Sequence, residues 1–423
     1  MTSDYSNPDR EAFVWIWLPG SAEPVVAGRI ELEGGIYTFN YGQSYLERES
    51  AIAIYVPELP LQRGRIARDA PHEMAGCVRD GAPDAWGRRV IINRLTGLRD
   101  AAAHTVDFGE LTFMLNSGSD RIGALDFQRW SDRYELREQE NATLEELLEA
   151  AEKVERGEPI PPALDKALLH ASSIGGARPK ALIQDGPDKF IAKFSATNDT
   201  IAVVKAEFVA MRLAAEIGLN AAPVSLAKAS GKDVLLVRRF DREWTGNGWT
   251  RRAIVSALTI LKLNEMQARY ASYRDLAEIV RARFTHPQAT LRELFGRMVL
   301  NVLTGNTNDH ARNHAAFWDG HNLSLTPAYD ICPQARLGRE ANQAMLIHEN
   351  DKRSQLETCR LAAPNFLIKD RDAKELIDHQ IETITRLWPA ICDEAEISNV
   401  ERTYFWRRQF LNDYAFEGYA NRL

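Results

Sequence analysis

Only four of the 423 residues are cysteine, Cys77, Cys332, Cys359 and Cys392, and no two form a C-x-x-C pair. That spacing excludes the common zinc motifs and suggests no disulfide framework, so a reducing cytoplasm is the expected compartment. Long apolar runs are missing: nothing approaches the roughly 20 residues that a membrane-spanning helix needs. The opening MTSDYSNPDR is polar and lacks the basic-then-apolar pattern of a signal peptide. A basic excess is absent as well. Lys and Arg total 52 against 59 Asp and Glu, for a net charge of −7, so the chain as a whole is not an electrostatic nucleic-acid binder. Arg251 with Arg252 and Arg407 with Arg408 are the local basic pairs, and both read as solvated surface arginines. Internal repeats and low-complexity tracts are absent.

Hydrophobic residues at 45% and charged residues at 26% describe a globular chain, and its length calls for two or three lobes. Short β-branched and aromatic runs fill the first part: AFVWIWL, VVAGRI, IYTFNY and AIAIYV, separated by turn material. Helical signals follow in DAWGRRVIINRL. Thr143 and Glu146 have capping-box spacing, and Leu144, Leu147, Leu148, Ala151 and Val154 make one apolar helix face that ends at Gly157. Three segments result: a β-rich N-terminal domain with its connecting helix (1–157), a small lobe (158–250) and a mostly helical lobe (251–423).

The small lobe runs in the order of a protein-kinase N-lobe. A glycine-containing loop, SSIGGARPK, precedes a hairpin (KALIQ, DGPD, KFIAKF), a helix from Thr200 to Ile217 closed by Gly218, and the strand DVLLVRRF. Gly175 and Gly176 allow main-chain N–H groups to face phosphate oxygens. Lys193, in FIAKF, has the context of a kinase third-strand lysine. Glu207, fourteen residues on and mid-helix, stands where kinases carry the glutamate that pairs with it. Apolar residues at 291, 294, 295, 298, 299, 302 and 303 make a buried helix that leads directly into GNTNDHARN. Kinase catalytic loops place a base Asp five residues before a metal-binding Asn. Five residues before Asn313 stands Asn308, with Asp309 next to it. Seventeen residues after Asn313, behind the strand-like LSL, Asp330 takes the place of the second metal-binding aspartate.

Together SSIGGARPKALI, the FIAKF lysine, LLVRRFDR, GNTNDHARNH and LTPAYD resemble the HipA family of toxin kinases, and GALDF resembles part of that family's N-terminal domain. The resemblance implies an α+β, two-lobed, kinase-like core behind a β-rich N-terminal domain, using ATP and magnesium. It implies a phosphate loop of Gly175, Gly176, Ala177, Arg178, Pro179 and Lys180, with Lys193 on the phosphates. It places Arg238, Arg239 and Phe240 in the adenine hinge, Asp241 near the ribose, and His310, Asn313, Tyr329 and Asp330 at the phosphate and metal end. Ser173 matches the loop serine that the family autophosphorylates. A small helix-turn-helix antitoxin that binds operator DNA is the implied partner, and the translation machinery, such as an aminoacyl-tRNA synthetase, the implied substrate. Asn308 departs from the family's aspartate. An amide cannot accept a proton as a carboxylate does, so three readings stand side by side: a silencing substitution, a natural pseudokinase that binds nucleotide as an antitoxin partner, or Asp309 serving with a shifted loop.

Overall fold

The computed structural model describes residues 9–67, 73–96, 108–137, 142–158, 164, 178–196, 199, 201–336 and 338–419. Two compact units emerge: Met1–Asn198 with Lys228–Val255 and Trp318–His321, and Asp199–Ala227 with Ser256–Phe317 and Asn322–Leu423. No described helix is long and apolar enough to cross a membrane.

In the first unit the alternating runs become β1 (Glu11–Trp17), β2 (Pro24–Glu33) and β3 (Ile36–Tyr41). With β4 (Arg65–Ala67) and β5 (Leu125–Gln128) they form an antiparallel sheet in the order β4-β3-β2-β1-β5. The run AIAIYV, expected as a strand, makes no ladder. Tyrosine hydroxyls and an indole satisfy its backbone instead: Ile54 N–H donates to the Tyr41 hydroxyl, Tyr45 donates to the Ile52 carbonyl, and Trp318 Nε1 donates to the Ala53 carbonyl. The longer helices described in this unit are α1 (Ala85–Thr96), α2 (Gly109–Asn116) and α3 (Leu144–Glu155). The expected capping box starts α3. Thr143 Oγ1 accepts from Glu146 N–H, and the Glu146 carboxylate accepts from Thr143 N–H, while Leu147, Leu148, Ala151 and Val154 are buried.

The hairpin also forms as read, from β6 (Lys180–Asp185) and β7 (Asp188–Phe194). The chain passes through β8 (Val224–Ala229) to β9 (Lys232–Arg238), which lies antiparallel to β7. A small ribbon of β10 (Arg242–Trp244) and β11 (Trp249–Arg251) follows, then β12 (Ala253–Ser256).

The second unit holds the long helices. α4 (Val203–Ile217) ends at Gly218, whose φ of 92° gives the left-handed cap that glycine adopts without strain. α5 (Tyr273–Arg283) and α6 (Pro287–Leu303) follow, and α7 (Asp370–Glu394) is the longest. All seven apolar positions read on α6 are buried, with Pro287 in its first turn. Arg297, 2% exposed on the same helix, pairs with Glu293 and donates to the carbonyls of Asn220 and Thr326. It thereby ties α6 to the two loops that flank it. β13 (Ala315–Trp318) and β14 (Leu323–Leu325) are the last strands among the described residues.

Candidate active site

In the first unit, strand pairing decides where the two candidate phosphate lysines stand. Lys180 and Lys193 are direct partners across the β6–β7 ladder, so their Cβ atoms share one face of the sheet. The Pro179 carbonyl accepts from Phe194 N–H at 3.0 Å, extending the pairing one step toward the loop. Lys180 is 5% exposed, and Arg178 is half-buried. Ser173, Gly175, Gly176 and Ala177 lie outside the described residues.

The segment after β9 is bound into a buried charge network. Arg238 is exposed and pairs with Asp188. Arg239 and Arg242 are 0% and 1% exposed in their side chains and both reach Asp120 and Asp241. Lys189 Nζ lies 2.7 Å from Asp120, and Arg251 donates to the Ser119 carbonyl with its guanidinium 3.4 Å from the Trp17 ring centroid. Arg251 is therefore a buried network member, not the solvated arginine expected from sequence. Burial alone would raise the Asp241 carboxyl, but Arg239, Arg242 and the Gly123 N–H outweigh it and hold it at about 2. Asp120 is likewise held well below the ordinary carboxylate range, burial being overcome by Arg239, Arg242 and Lys189. At 2% exposure, with its oxygens taken by two arginines and the Gly123 N–H, the Asp241 carboxylate is turned into this network and away from the ribose role expected of it. The hinge reading of Arg239 and Phe240 rests on backbone groups, which this network holds in place. Asp120 was not singled out from sequence, because its partners lie about 120 positions away.

In the second unit α6 ends at Thr304 and the catalytic-loop segment begins with Gly305, at φ +69°. A Cβ there would meet the Gln409 carbonyl oxygen at 2.7 Å, so only glycine fits. The loop then separates its residues sharply. Asn308 is exposed, Asp309 is 1% exposed, and Asn313 is 7% exposed on a short 3-10 turn. The five-residue spacing becomes a contact: Asn313 Nδ2 donates to the Asn308 carbonyl at 3.3 Å. Asn306, 1% exposed, donates to Asn301 Oδ1 and to the Asp330 carbonyl, which links this loop to the LTPAYD segment. Tyr329 donates to the Arg312 carbonyl at 2.7 Å, a second link.

Asp309 has a place of its own. Its carboxylate accepts from the Tyr273 hydroxyl and lies 2.8 Å from His314 Nε2, and these two side chains are themselves 3.2 Å apart. All three are at most 3% exposed. Burial first, and then Asp309, push the Tyr273 phenol well above its usual range, so Tyr273 remains a donor. The carboxylate of Asp309 is thus committed to holding the loop on α5, and the exposed position at the base slot is Asn308. A shifted loop in which Asp309 serves as base finds no support in this arrangement.

Asp330 is half-buried and left-handed, φ 60°, a conformation that Asp and Asn adopt more readily than most residues. Burial lowers the His310 imidazole, against the raising effect of Asp330 and Asp309, so it is neutral at neutral pH, and its Nδ1 is buried without a hydrogen-bond partner among the described residues. As for a metal, Asn313 has its amide nitrogen occupied by Asn308, which leaves its oxygen as the group on offer; Asp330 contributes carboxylate oxygens. Two hard oxygen donors fit magnesium, which keeps waters and takes phosphate oxygens for the remaining positions. Among the described residues no group of three or more His, Cys, Asp or Glu could hold a metal.

Comparison with known proteins agrees along the chain. A family model described as the HipA-like C-terminal domain matches residues 172–388, and one described as the HipA N-terminal domain matches residues 18–128. The protein Y4mE of Sinorhizobium fredii is 24% identical over 209 residues, covering 47% of this chain and 48% of its own. The serine/threonine-protein kinase toxin HipA of Shewanella oneidensis is 26% identical over 258 residues, covering 53% of this chain and 60% of its own. The chain thus matches about half to three-fifths of the length of these curated relatives. A solved complex of Shewanella oneidensis HipA with HipB and operator DNA contains a chain of the same fold: TM-score 0.65, 16% identity, 96% of this chain and 99% of that one.

Proposed function

The chain belongs to the HipA family of kinases, and on that premise we propose that it is the scaffold of an ATP-dependent serine/threonine protein kinase of the toxin type, carrying an amide where the catalytic carboxylate belongs. One observation carries this reading: the loop exposes position 308 and bonds its carbonyl to Asn313, while burying Asp309 in a structural contact. That arrangement supports reading position 308, and not Asp309, as the base slot beside Asn313.

In this reading Lys180 and Lys193 meet the phosphates, with Glu207, 3% exposed on α4, as the helix glutamate assigned to Lys193. Main-chain groups around Arg239 and Phe240 take the adenine. Asn313 and Asp330 would hold magnesium, which would neutralise charge on the phosphates when bound. The protein side of the reaction is positioning and charge stabilisation. Position 308 would accept the proton of the attacking hydroxyl, which Asn308 cannot do. Ser173 is the proposed autophosphorylation site. A HipB-like helix-turn-helix antitoxin is the proposed partner, supported by the complex in which a chain of this fold is seen with HipB and operator DNA. With a net charge of −7, this chain leaves most phosphate contacts to that partner. A protein of the translation machinery, in the cytoplasm, is the proposed substrate.

The test is phosphoryl transfer from radiolabelled ATP to host lysate and to the chain itself. The unmodified chain is expected to transfer little. Asn308→Asp, nearly equal in size, is expected to raise transfer by roughly 10²- to 10⁴-fold, the usual range for a general base. Transfer by the unmodified chain that Asn308→Asp does not raise would remove Asn308 from the base slot. The second reading, a nucleotide-binding pseudokinase acting as antitoxin partner, is favoured by the amide of Asn308 itself, and it takes over if neither form transfers phosphate.

A further inference from the structure

We propose that Asp84 is the positioning residue for Lys180, so that the N-terminal part of the chain sets nucleotide affinity directly; this rests on the reading of Lys180 as a phosphate lysine. Asp84 Oδ2 lies 3.7 Å from Lys180 Nζ, and the two side chains are 10% and 5% exposed. The same stretch also fixes the lysine's backbone. Trp86, 1% exposed, donates its indole N–H to the Lys180 carbonyl at 3.2 Å. Both ends of Lys180 are thereby held by residues more than ninety positions earlier in the chain.

The electrostatics give the contact its purpose. Lys180 and Lys193 face each other across the ladder, and like charges in that relation repel. A buried ammonium also needs a counter-charge to stay in place. Asp84 supplies counter-charge from within the protein, and nucleotide phosphates would add to it when bound. Asp84 itself is rigid, because its Oδ1 accepts from Gly87 N–H at 2.9 Å and caps α1.

Capping also makes a clean experiment available. Asparagine caps a helix as well as aspartate does, so Asp84→Asn removes the charge and keeps the cap. Calorimetric titration of the full chain with magnesium-ADP and with adenosine compares the phosphate contribution with the base contribution. Asp84→Asn is expected to weaken magnesium-ADP binding roughly tenfold, the scale of one charge-assisted contact, and to leave adenosine binding unchanged. Lys180→Met should show the same pattern, and the double variant should bind no more weakly than Lys180→Met alone. Unchanged or tighter ADP binding by Asp84→Asn overturns the proposal, as do additive losses in the double variant or equal losses for ADP and adenosine. Should Asp84→Asn fail to fold, Asp84→Ser keeps a capping oxygen and carries the same comparison. If the unmodified chain binds no nucleotide, the proposed function fails at that step, before any variant is compared, and this inference falls with it.

Discussion

Lys180 and Lys193 stand directly opposite each other across the β6–β7 ladder, two ammonium groups in a cross-strand position that ordinarily pairs opposite charges or apolar groups. A sheet tolerates that arrangement when anionic partners are provided. Asp84 is one such partner, 3.7 Å from Lys180 Nζ, and in the proposed function nucleotide phosphates add to it.

The first prediction follows from that pair. Lys193→Ala is expected to weaken magnesium-ATP binding by roughly 10- to 100-fold, the loss of a hydrogen bond to a charged group. Titration calorimetry reads it. A large fall in stability with no change in affinity would make Lys193 a structural residue.

A second prediction separates Asp309 from Asn308. Asp309→Ala strips a buried carboxylate from Tyr273 and His314 and should cost about 3–5 kcal/mol, as breaking a buried charged contact does. Tyr273→Phe should cost less, about 1.5–3 kcal/mol, because a single hydrogen bond to a charged group is lost. Urea unfolding of the isolated chain measures both. If Asp309→Ala is as stable as the parent, the carboxylate is not holding the loop.

The third prediction concerns Asp330. Its left-handed backbone suits Asn nearly as well as Asp. Asp330→Asn should therefore keep the melting temperature while abolishing the dependence of nucleotide binding on magnesium. Asp330→Ala should lose both. Nucleotide titrations with and without magnesium, beside a melting curve, check the pair. Magnesium dependence that survives in Asp330→Asn would assign the metal elsewhere.

Acid sensitivity is the fourth. Asp241 is held at about 2 in the folded chain, below the ordinary aspartate value near 3.9. A carboxylate with a depressed folded value stabilises the fold above its unfolded value, and that contribution is lost as pH falls through the folded one. The first unit should therefore keep this stabilisation at pH 5 and shed it between about pH 4 and pH 2. Asp241→Asn should bring the loss forward to neutral pH, by about 3–5 kcal/mol, because two buried arginines lose a partner. Unfolding followed by tryptophan fluorescence, with Trp17 and Trp249 in the first unit, reads the difference. Identical acid profiles for parent and variant would contradict it.

What could be read beforehand depended on how local the physics was. The Asn308–Asn313 turn was legible as a unit because the two residues are five apart and their spacing is itself the contact. The capping box of α3 and the buried face of α6 were legible for the same reason. The Asp120–Asp241 network was not, since its members come together across about 120 positions and each looks like an ordinary surface charge in isolation. Asp84 escaped notice likewise, its lysine being nearly a hundred residues on. AIAIYV was misread because apolar composition reports burial, while hydroxyls from Tyr41 and Tyr45 had taken the backbone groups a ladder would have used.

The close approach of Gly305 to the Gln409 backbone carries a genetic consequence. The start of the catalytic loop is packed against a segment about a hundred residues downstream, and the Leu411 N–H is bonded to the Leu303 carbonyl beside it. Loss of that packing need not strike any of the motifs read in the sequence. Changes that remove Gln409 or Leu411 would leave every motif of the sequence in place and still free the start of the loop, so loss-of-function alleles are expected at these two positions as well as in the motifs.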